Sequence, residues 1–426
     1  MLKFLKMVKN ERADEHQFTI LSSEKLTGTL VPDELILEIL SRTPVKDLIR
    51  LRCVSKSWLA LTVDPQFIHM HLTRNAPINK GILFRGYAPN YTSEIMSFLR
   101  INESPCTLFK LKVEPNQPRK FDHTRRFEFS RYFYEMAFCG SVNGIVCLSH
   151  YGRDSNSGNL VEWEQFAVLW NPAIRRCKPI LLPTRGCFDD DLWIPSVGLG
   201  FNADANDFKI FRIVPVRLGR SLSRVEIYSA NLDSWNRVQR SAPFLPRSPN
   251  CNFIVKGVPY WIDADTENLL AIDPCTEKHR MVPYPMHVKN QSTSVHPMTF
   301  MDSVALLIYS PGMDPNNLVD VYILDESCDY WIKKRSTQPI VGGGLWRPKC
   351  LTDGGLVVEA WEGLALYSPS TYDTTPSRFS AMFDAQCYSH VESLVCLNGM
   401  EPLTKKENKK KKNKVPKCCG IFCKVR

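Results

Sequence analysis

Five times the chain repeats one unit: an apolar run with an aromatic residue or Ile near its end, a turn of Asn, Asp or Ser with Pro, several polar residues, then a second run. The copies are VLWNPAIRRCKPI, EIYSANLDSWNRV, LAIDPCTEKHRMV, VYILDESCDYWIK and ALYSPSTYDTTPS, centred on Trp170, Tyr228, Ile272, Tyr322 and Tyr367. The centres lie 58, 44, 50 and 45 residues apart. A propeller blade takes on the order of 40–50 residues, so the spacing predicts a ring of blades. An earlier copy, SFLRINESPCTLFKLKV at 97–113, is followed by a polar insertion to about residue 134 and brings the expected number to six. Such a ring must close on itself to leave no open sheet edge. VESLVCLN, 391–398, pairing beside GILFRGY is the expected closing strand.

The region before residue 80 has a different period. Residues 1–29 are polar and aperiodic and read as a flexible leader. In DELILEILSR, Leu35, Ile36, Ile39 and Leu40 share one broad helical face, with Asp33 after Pro32 as the expected cap. Thr43 then Pro44 reads as a second cap and helix start, with Leu48 and Leu51 continuing an apolar face. A third helix is expected around Trp58, stopped at Pro65 and followed by a short turn with Phe67 and Leu72. About 45 residues bury too little to stand alone, so this unit must pack on the downstream domain or on another protein.

As an ordered set, Pro32, the Ile and Leu residues of the first helix, Thr43–Pro44 and CVSKSW resemble the F-box, over residues 30–72. That family has Leu before each of the two prolines; here Val31 and Thr43 stand there. The resemblance implies that surplus apolar surface is covered by the Skp-type adaptor of a cullin ubiquitin ligase. It also implies that Pro32, Ile36, Ile39, Leu40, Pro44, Leu48, Val54 and Trp58 are the adaptor-binding candidates, with Leu48 and Trp58 equally suited to the core. CGSVNGIVCL and LWNPAIRRCKPILLP resemble the plant F-box-associated, kelch-related interaction domain, over roughly residues 80–398. Pollen S-locus F-box proteins and defence-regulating F-box/kelch proteins belong to that group. The expected organisation is a leader at 1–29, a small all-α three-helix F-box at 30–75, an all-β kelch-like propeller at 80–398 and a disordered tail at 399–426.

Little suggests catalysis. No P-loop, dinucleotide fingerprint, zinc-protease helix or nucleophile elbow is present. The glycines of VGGGLW, 341–346, precede a Trp rather than a capped helix. His123, His150, His279, His287, His296 and His390 are isolated in sequence, and Asp189, Asp190 and Asp191 read as a solvated loop tip. No catalytic residue, metal or cofactor is expected. Tryptophans 170, 235, 261 and 331 read as packing between blades. The function expected is the substrate receptor of an SCF-type ligase, binding the adaptor and, through it, cullin. The target would sit on exposed loops, for which 114–134, 151–162, 184–195, 215–224 and 310–318 are candidates. The alternative is a propeller enzyme or small-ligand domain with a helical cap.

Charge and cysteine usage bear on partners and address. Residues 405–426 hold nine Lys, one Arg and one Glu, so they carry +9 of the chain's net +10. The nearly neutral body argues against nucleic acid. No run of 18 apolar residues occurs and no signal peptide is expected, so the fifteen scattered cysteines read as free thiols of a reducing compartment, cytoplasm or nucleus. In the tail, Cys418, Cys419 and Cys423 follow the basic run directly and are candidate lipidation sites for a peripheral plasma-membrane contact. A nuclear-import signal and an inert solvated tail are the other two readings of the same residues.

Overall fold

The structure, a computed structural model, describes residues 5–8, 19–22, 32–77, 80–87, 93–100, 106–112, 136–150, 165–183, 195–217, 221–285, 294–300, 302–309, 319–327, 329–337, 347–352, 355–360, 363–367, 377–380 and 383–403. Within the leader, β1 (Leu5–Val8) pairs antiparallel with β2 (Thr19–Ser22), a pairing not anticipated from its polar sequence.

The helical unit has four helices rather than three: α1 (Asp33–Arg42), α2 (Val45–Leu51), α3 (Lys56–Val63) and α4 (Pro65–Asn75). Pro65 opens α4 instead of ending the unit. A first-turn residue needs no intrahelical N–H, so proline fits there. The Asp64 carboxylate accepts from the N–H groups of Gln66 and Phe67 at 2.8 and 3.2 Å. Two expected caps are displaced. Pro32 and Pro44 hold the N-cap positions of α1 and α2, with ψ of 145° and 144°, and neither makes a side-chain cap. Asp33 is already helical. Thr43 ends α1, its hydroxyl donating to the Ile39 carbonyl at 2.9 Å, because a residue before proline is pushed out of helical geometry. The end of α1 is satisfied from α4: Asn75 Nδ2 donates to the Ser41 carbonyl at 2.6 Å, and His71 Nε2 meets the Thr43 carbonyl at 2.9 Å.

Six antiparallel blades follow. The first contains β3 (Lys80–Tyr87), β4 (Ser93–Arg100) and β5 (Cys106–Lys112). The second contains β6 (Met136–Val142), β7 (Ile145–His150), β8 (Phe166–Asn171) and β9 (Arg176–Leu181). The third contains β10 (Ser196–Asn202), β11 (Asp207–Arg217), β12 (Ser221–Ser229) and β13 (Ser234–Ala242). The fourth contains β14 (Phe253–Val255), β15 (Val258–Ile262), β16 (Leu269–Ile272) and β17 (His279–Val282). The fifth contains β18 (Ser294–Phe300), β19 (Ser303–Tyr309), β20 (Val319–Asp325) and β21 (Tyr330–Thr337). The sixth contains β22 (Arg347–Thr352), β23 (Gly355–Ala360), β24 (Gly363–Tyr367) and β25 (Ser377–Ser380). The five repeat centres each fall on the third strand of a blade. The motif seen in sequence is therefore the third strand, its turn and the fourth strand. Asn171, Asp273 and Asp325 close these turns by accepting from the amides of Ala173, Cys275 and Ser327 at 3.0, 2.9 and 3.0 Å.

The ring is closed by β26 (Phe383–Val391), which pairs beside β3 in the register Tyr388↔Leu83 and Val391↔Lys80. This corrects the expected closing strand, 391–398. Residues 392–403 run instead along the second blade and end in β27 (Glu401–Pro402), which pairs with β9. Residues 399–403, assigned from sequence to a disordered tail, thus belong to the fold. Met400 is buried there among core residues of the second and third blades.

The middle of the ring is filled. The Tyr388 hydroxyl lies 2.9 Å from the Phe138 carbonyl, 2.8 Å from the Cys251 carbonyl and 3.1 Å from Asn250 Nδ2, joining the first, second and fourth blades. Gly140 has a φ of +121°, which disfavours any other residue, and a Cβ there would lie 2.2 Å from Ile254 Cδ1 across the centre. Tryptophans join neighbouring blades through indole N–H groups. Trp261 donates to Ser196 Oγ at 2.9 Å, Trp331 to the Pro283 carbonyl at 2.8 Å and Trp235 to the Leu181 carbonyl at 3.0 Å. Trp170, Trp261 and Trp331 are buried, whereas Trp235 is half-buried. Full burial of an apolar side chain contributes about 1.5–3 kcal/mol, and these large residues sit where two sheets share one core.

Candidate functional site

The helical unit's core answers part of the question of what covers its apolar surface. Leu40, Val45, Leu48, Leu61 and Phe67 pack around Leu394, which comes from the segment after β26, and around Ala173 and Ile174 from the β8–β9 turn. The propeller therefore supplies part of this core. At the end of α2, Arg52 donates to Thr62 Oγ1 at 2.9 Å and to the Thr62 carbonyl at 3.1 Å; burial pulls this guanidinium below its ordinary range.

A second set of apolar residues stays outside. Leu35 is 53% exposed, Ile39 62%, Val54 42%, Leu59 44% and Val63 55%. Leu35 and Ile39 are one turn apart on α1, and Leu59 and Val63 one turn apart on α3. Of the sequence-derived candidates, Pro32, Ile39, Pro44 and Val54 are exposed, and Ile36 and Trp58 are half-buried. Leu40, at 5%, and Leu48, at 0%, lie in the core and are not available to a partner without rearrangement. Leu35, Leu59 and Val63 were absent from the candidates. Their signal was present as apolar pairs at i and i+4, but α3 was read around Trp58 alone.

Some charges of the helical unit are paired. Glu38 accepts from Arg74 and, at 2.6 Å, from Arg42, and these guanidiniums hold its carboxyl below the ordinary range. Asp47 pairs with Arg50 at 2.9 Å. Exposed pairs of this kind contribute little stability.

The topology places the other candidate surface. The chain enters β3 from α4 and leaves β26 at the same end of the first blade, where Lys80 pairs with Val391. Since strands alternate in direction, the strand ends joined first-to-second and third-to-fourth lie on that face, and the ends joined second-to-third and from blade to blade lie on the opposite face. All five candidate target loops are of that second kind. Their residues 114–134, 151–162, 184–194, 218–220 and 310–318 fall outside the described residues, as do Cys418, Cys419, Cys423, His123, His287, Asp189–Asp191 and 341–346.

Among the remaining histidines, His150 and His390 are buried and His279 is exposed. Burial drives His390 down to about 3, so it is neutral, and its Nδ1 meets Ser141 Oγ at 2.7 Å. Among the described residues, no group of three His, Cys, Asp or Glu side chains could hold a metal ion, and no helix is long and apolar enough to cross a membrane.

Comparison with known proteins assigns both parts. A family model for the F-box domain matches residues 30–70, and one for the F-box-associated β-propeller domain matches residues 160–324. Relatives in Arabidopsis thaliana include an F-box/WD-40 repeat-containing protein, 26% identical over 246 residues (55% of this chain, 49% of that one). An F-box/LRR-repeat/kelch-repeat protein is 25% identical, covering 60% of each chain. An F-box/kelch-repeat protein is 22% identical over 80% of this chain and 88% of its own. The chain thus spans about half the length of the first relative and 60% of the second. Among solved structures, TolB from Acinetobacter baumannii aligns with a TM-score of 0.38 at 8% identity over 76% of this chain and 70% of that one, too distant to carry weight. The four-helix unit is an F-box domain, and the six-bladed ring behind it is an F-box-associated β-propeller of the kind found in plant F-box/kelch proteins.

Proposed function

We propose that this chain is the substrate-recognition subunit of an SCF-type (Skp–cullin–F-box) ubiquitin ligase. Its F-box docks a Skp-type adaptor, and the propeller face opposite the helices holds a target protein. The chain contributes no catalytic group; it acts by tethering, which raises the effective concentration of target lysines near the charged ubiquitin carrier. The observation that carries this reading is the pair of apolar faces, Leu35 with Ile39 and Leu59 with Val63, left uncovered after the propeller has covered the other side of the same unit. Large apolar side chains left exposed in pairs on a folded unit point to a partner.

The test uses Ile39→Asp on the full chain. Covering Ile39 and then forcing a carboxylate into that contact should cost about 2–3 kcal/mol, a loss of at least about 30-fold in adaptor affinity by calorimetry. Ile39 lies outside the core, so the melting curve should be unchanged. Undiminished adaptor binding would remove the assignment. Leu40 is a poor choice for this purpose, since its replacement disturbs the fold.

A further inference from the structure

We propose that residues 392–403 form a strap that fixes the bearing of the F-box on the propeller, with Asn171 as its anchor and Leu394 as its key. Ring closure is complete at Val391, and the next twelve residues are not needed to close it. They are nevertheless held at both ends and in the middle. Asn171 Nδ2 donates to the carbonyls of Ser393 and Val395 at 3.0 and 2.8 Å. Ser393 Oγ donates to the Asn143 carbonyl at 2.8 Å. A Cβ on Gly144, whose φ is +82°, would lie 2.1 Å from Ser393 Oγ, so glycine serves both the turn and the strap's approach. Farther along, Arg176 donates to the Met400 carbonyl at 3.1 Å, the Leu403 amide to the Arg175 carbonyl at 3.1 Å, and Glu401 pairs with Cys177.

From this anchored segment Leu394 enters the helical core beside Leu40, Leu48 and Phe67. The covalent join from α4 to β3 is a single crossing, about which two bodies can swivel. The strap is a second crossing, and Leu394, packed in the helical core beside Ala173 and Ile174 of the β8–β9 turn, makes it a keyed one. Its consequence for ubiquitin transfer rests on the receptor reading above: a fixed bearing holds the target at a constant offset from the carrier, where swivelling would dilute it.

Asn171→Asp tests the anchor. It retains the side-chain oxygen that accepts from the Ala173 amide but loses the two donors to the strap. Leu394→Asp tests the key, and Leu394→Met should restore it. Spin labels on Cys53 in the F-box and Cys275 in the fourth blade, both exposed, report the bearing once other reactive cysteines are replaced by Ser. The native protein should give one narrow distance, and both Asp variants a distribution at least twice as wide. With Asn171→Asp, adaptor binding should stay within about twofold while the rate of target ubiquitination falls about tenfold, since only effective concentration changes. Distributions as narrow as native in both variants would overturn the proposal. Should Leu394→Asp lose helix by circular dichroism, Asn171→Asp decides alone. The distances are measured without adaptor, so a native chain that binds no adaptor would sink the receptor reading and leave the strap test standing.

Discussion

Replacing Tyr388 by Phe removes one oxygen from the centre of the ring. That hydroxyl has one proton to donate, shared between the carbonyls of Phe138 and Cys251, and accepts from Asn250 Nδ2. Burial holds its pKa well above the ordinary phenol range, so it is a neutral donor at every working pH. Without it, Asn250 Nδ2 and the Cys251 carbonyl still have each other at 3.2 Å, but the Phe138 carbonyl loses its hydroxyl donor. A net hydrogen bond contributes about 1 kcal/mol, and a buried carbonyl left short costs about 1–3 kcal/mol more, so the expected loss is about 2–4 kcal/mol. In domains of 150–250 residues each kcal/mol shifts Tm by roughly 2–4 °C; this longer ring belongs at the low end, so Tm should fall by about 5 °C. Differential scanning calorimetry reads it, with exposed Tyr330→Phe as the control. The transition should stay single, because blades that share one closed ring lose stability together. A shift under about 1 °C, or a split transition with only the first blade lost early, would refute the view that Tyr388 ties the ring across its centre.

Two further outcomes follow from buried charge. Arg212 and Glu226, both fully buried, pair at 2.5 Å in the third blade, so Glu226→Gln should destabilise by about 3–5 kcal/mol, while Arg212→Met with Glu226→Leu should be near neutral. Additive losses for Arg212→Met and Glu226→Leu, made singly and together and measured by thermal melts, would contradict the pairing. Burial lowers the pKa of His71, His296 and His390, the last to about 3, against about 6.5 unfolded. The unfolded chain therefore takes up these protons first. Their contribution is fully present above pH 6.5 and declines below it, for His390 by about 1.4 kcal/mol per pH unit. Urea midpoints at pH 7.5 and 5.5 check this, and His390→Gln should flatten the acid limb.

The blades were legible because their third-to-fourth strand turns carry local chemistry. An Asn or Asp that caps its own turn leaves a mark at each recurrence, whatever the rest of the blade does. The closing strand was not legible, because FDAQCYSHV shows no clean apolar run and its buried Ala385 and Tyr388 are separated by Gln386 and Cys387. VESLVCLN looks more like a strand, yet its Leu394 answers to a helical core. The F-box face was legible in outline. Periodicity places Leu35, Ile36, Ile39 and Leu40 together but not the line dividing core from surface; only the packing of α4 and the strap draws it, inward at Leu40 and outward at Ile39. Pro65 was misread because proline both ends helices and begins them, and Asp64 decides which.

The pairing of β26 with β3 also sets a clock on the making of this protein. During synthesis at about 5–20 residues per second, β3 waits for its partner while roughly 300 more residues are added, some 15–60 seconds. Throughout that interval the nascent chain carries an unpaired strand edge beside the F-box, whose own core still lacks Leu394. Both halves are completed within the same short stretch of translation. A message interrupted anywhere before residue 383 would yield neither a closed ring nor a finished F-box core, so partial products should go to chaperones and proteases rather than compete for the adaptor.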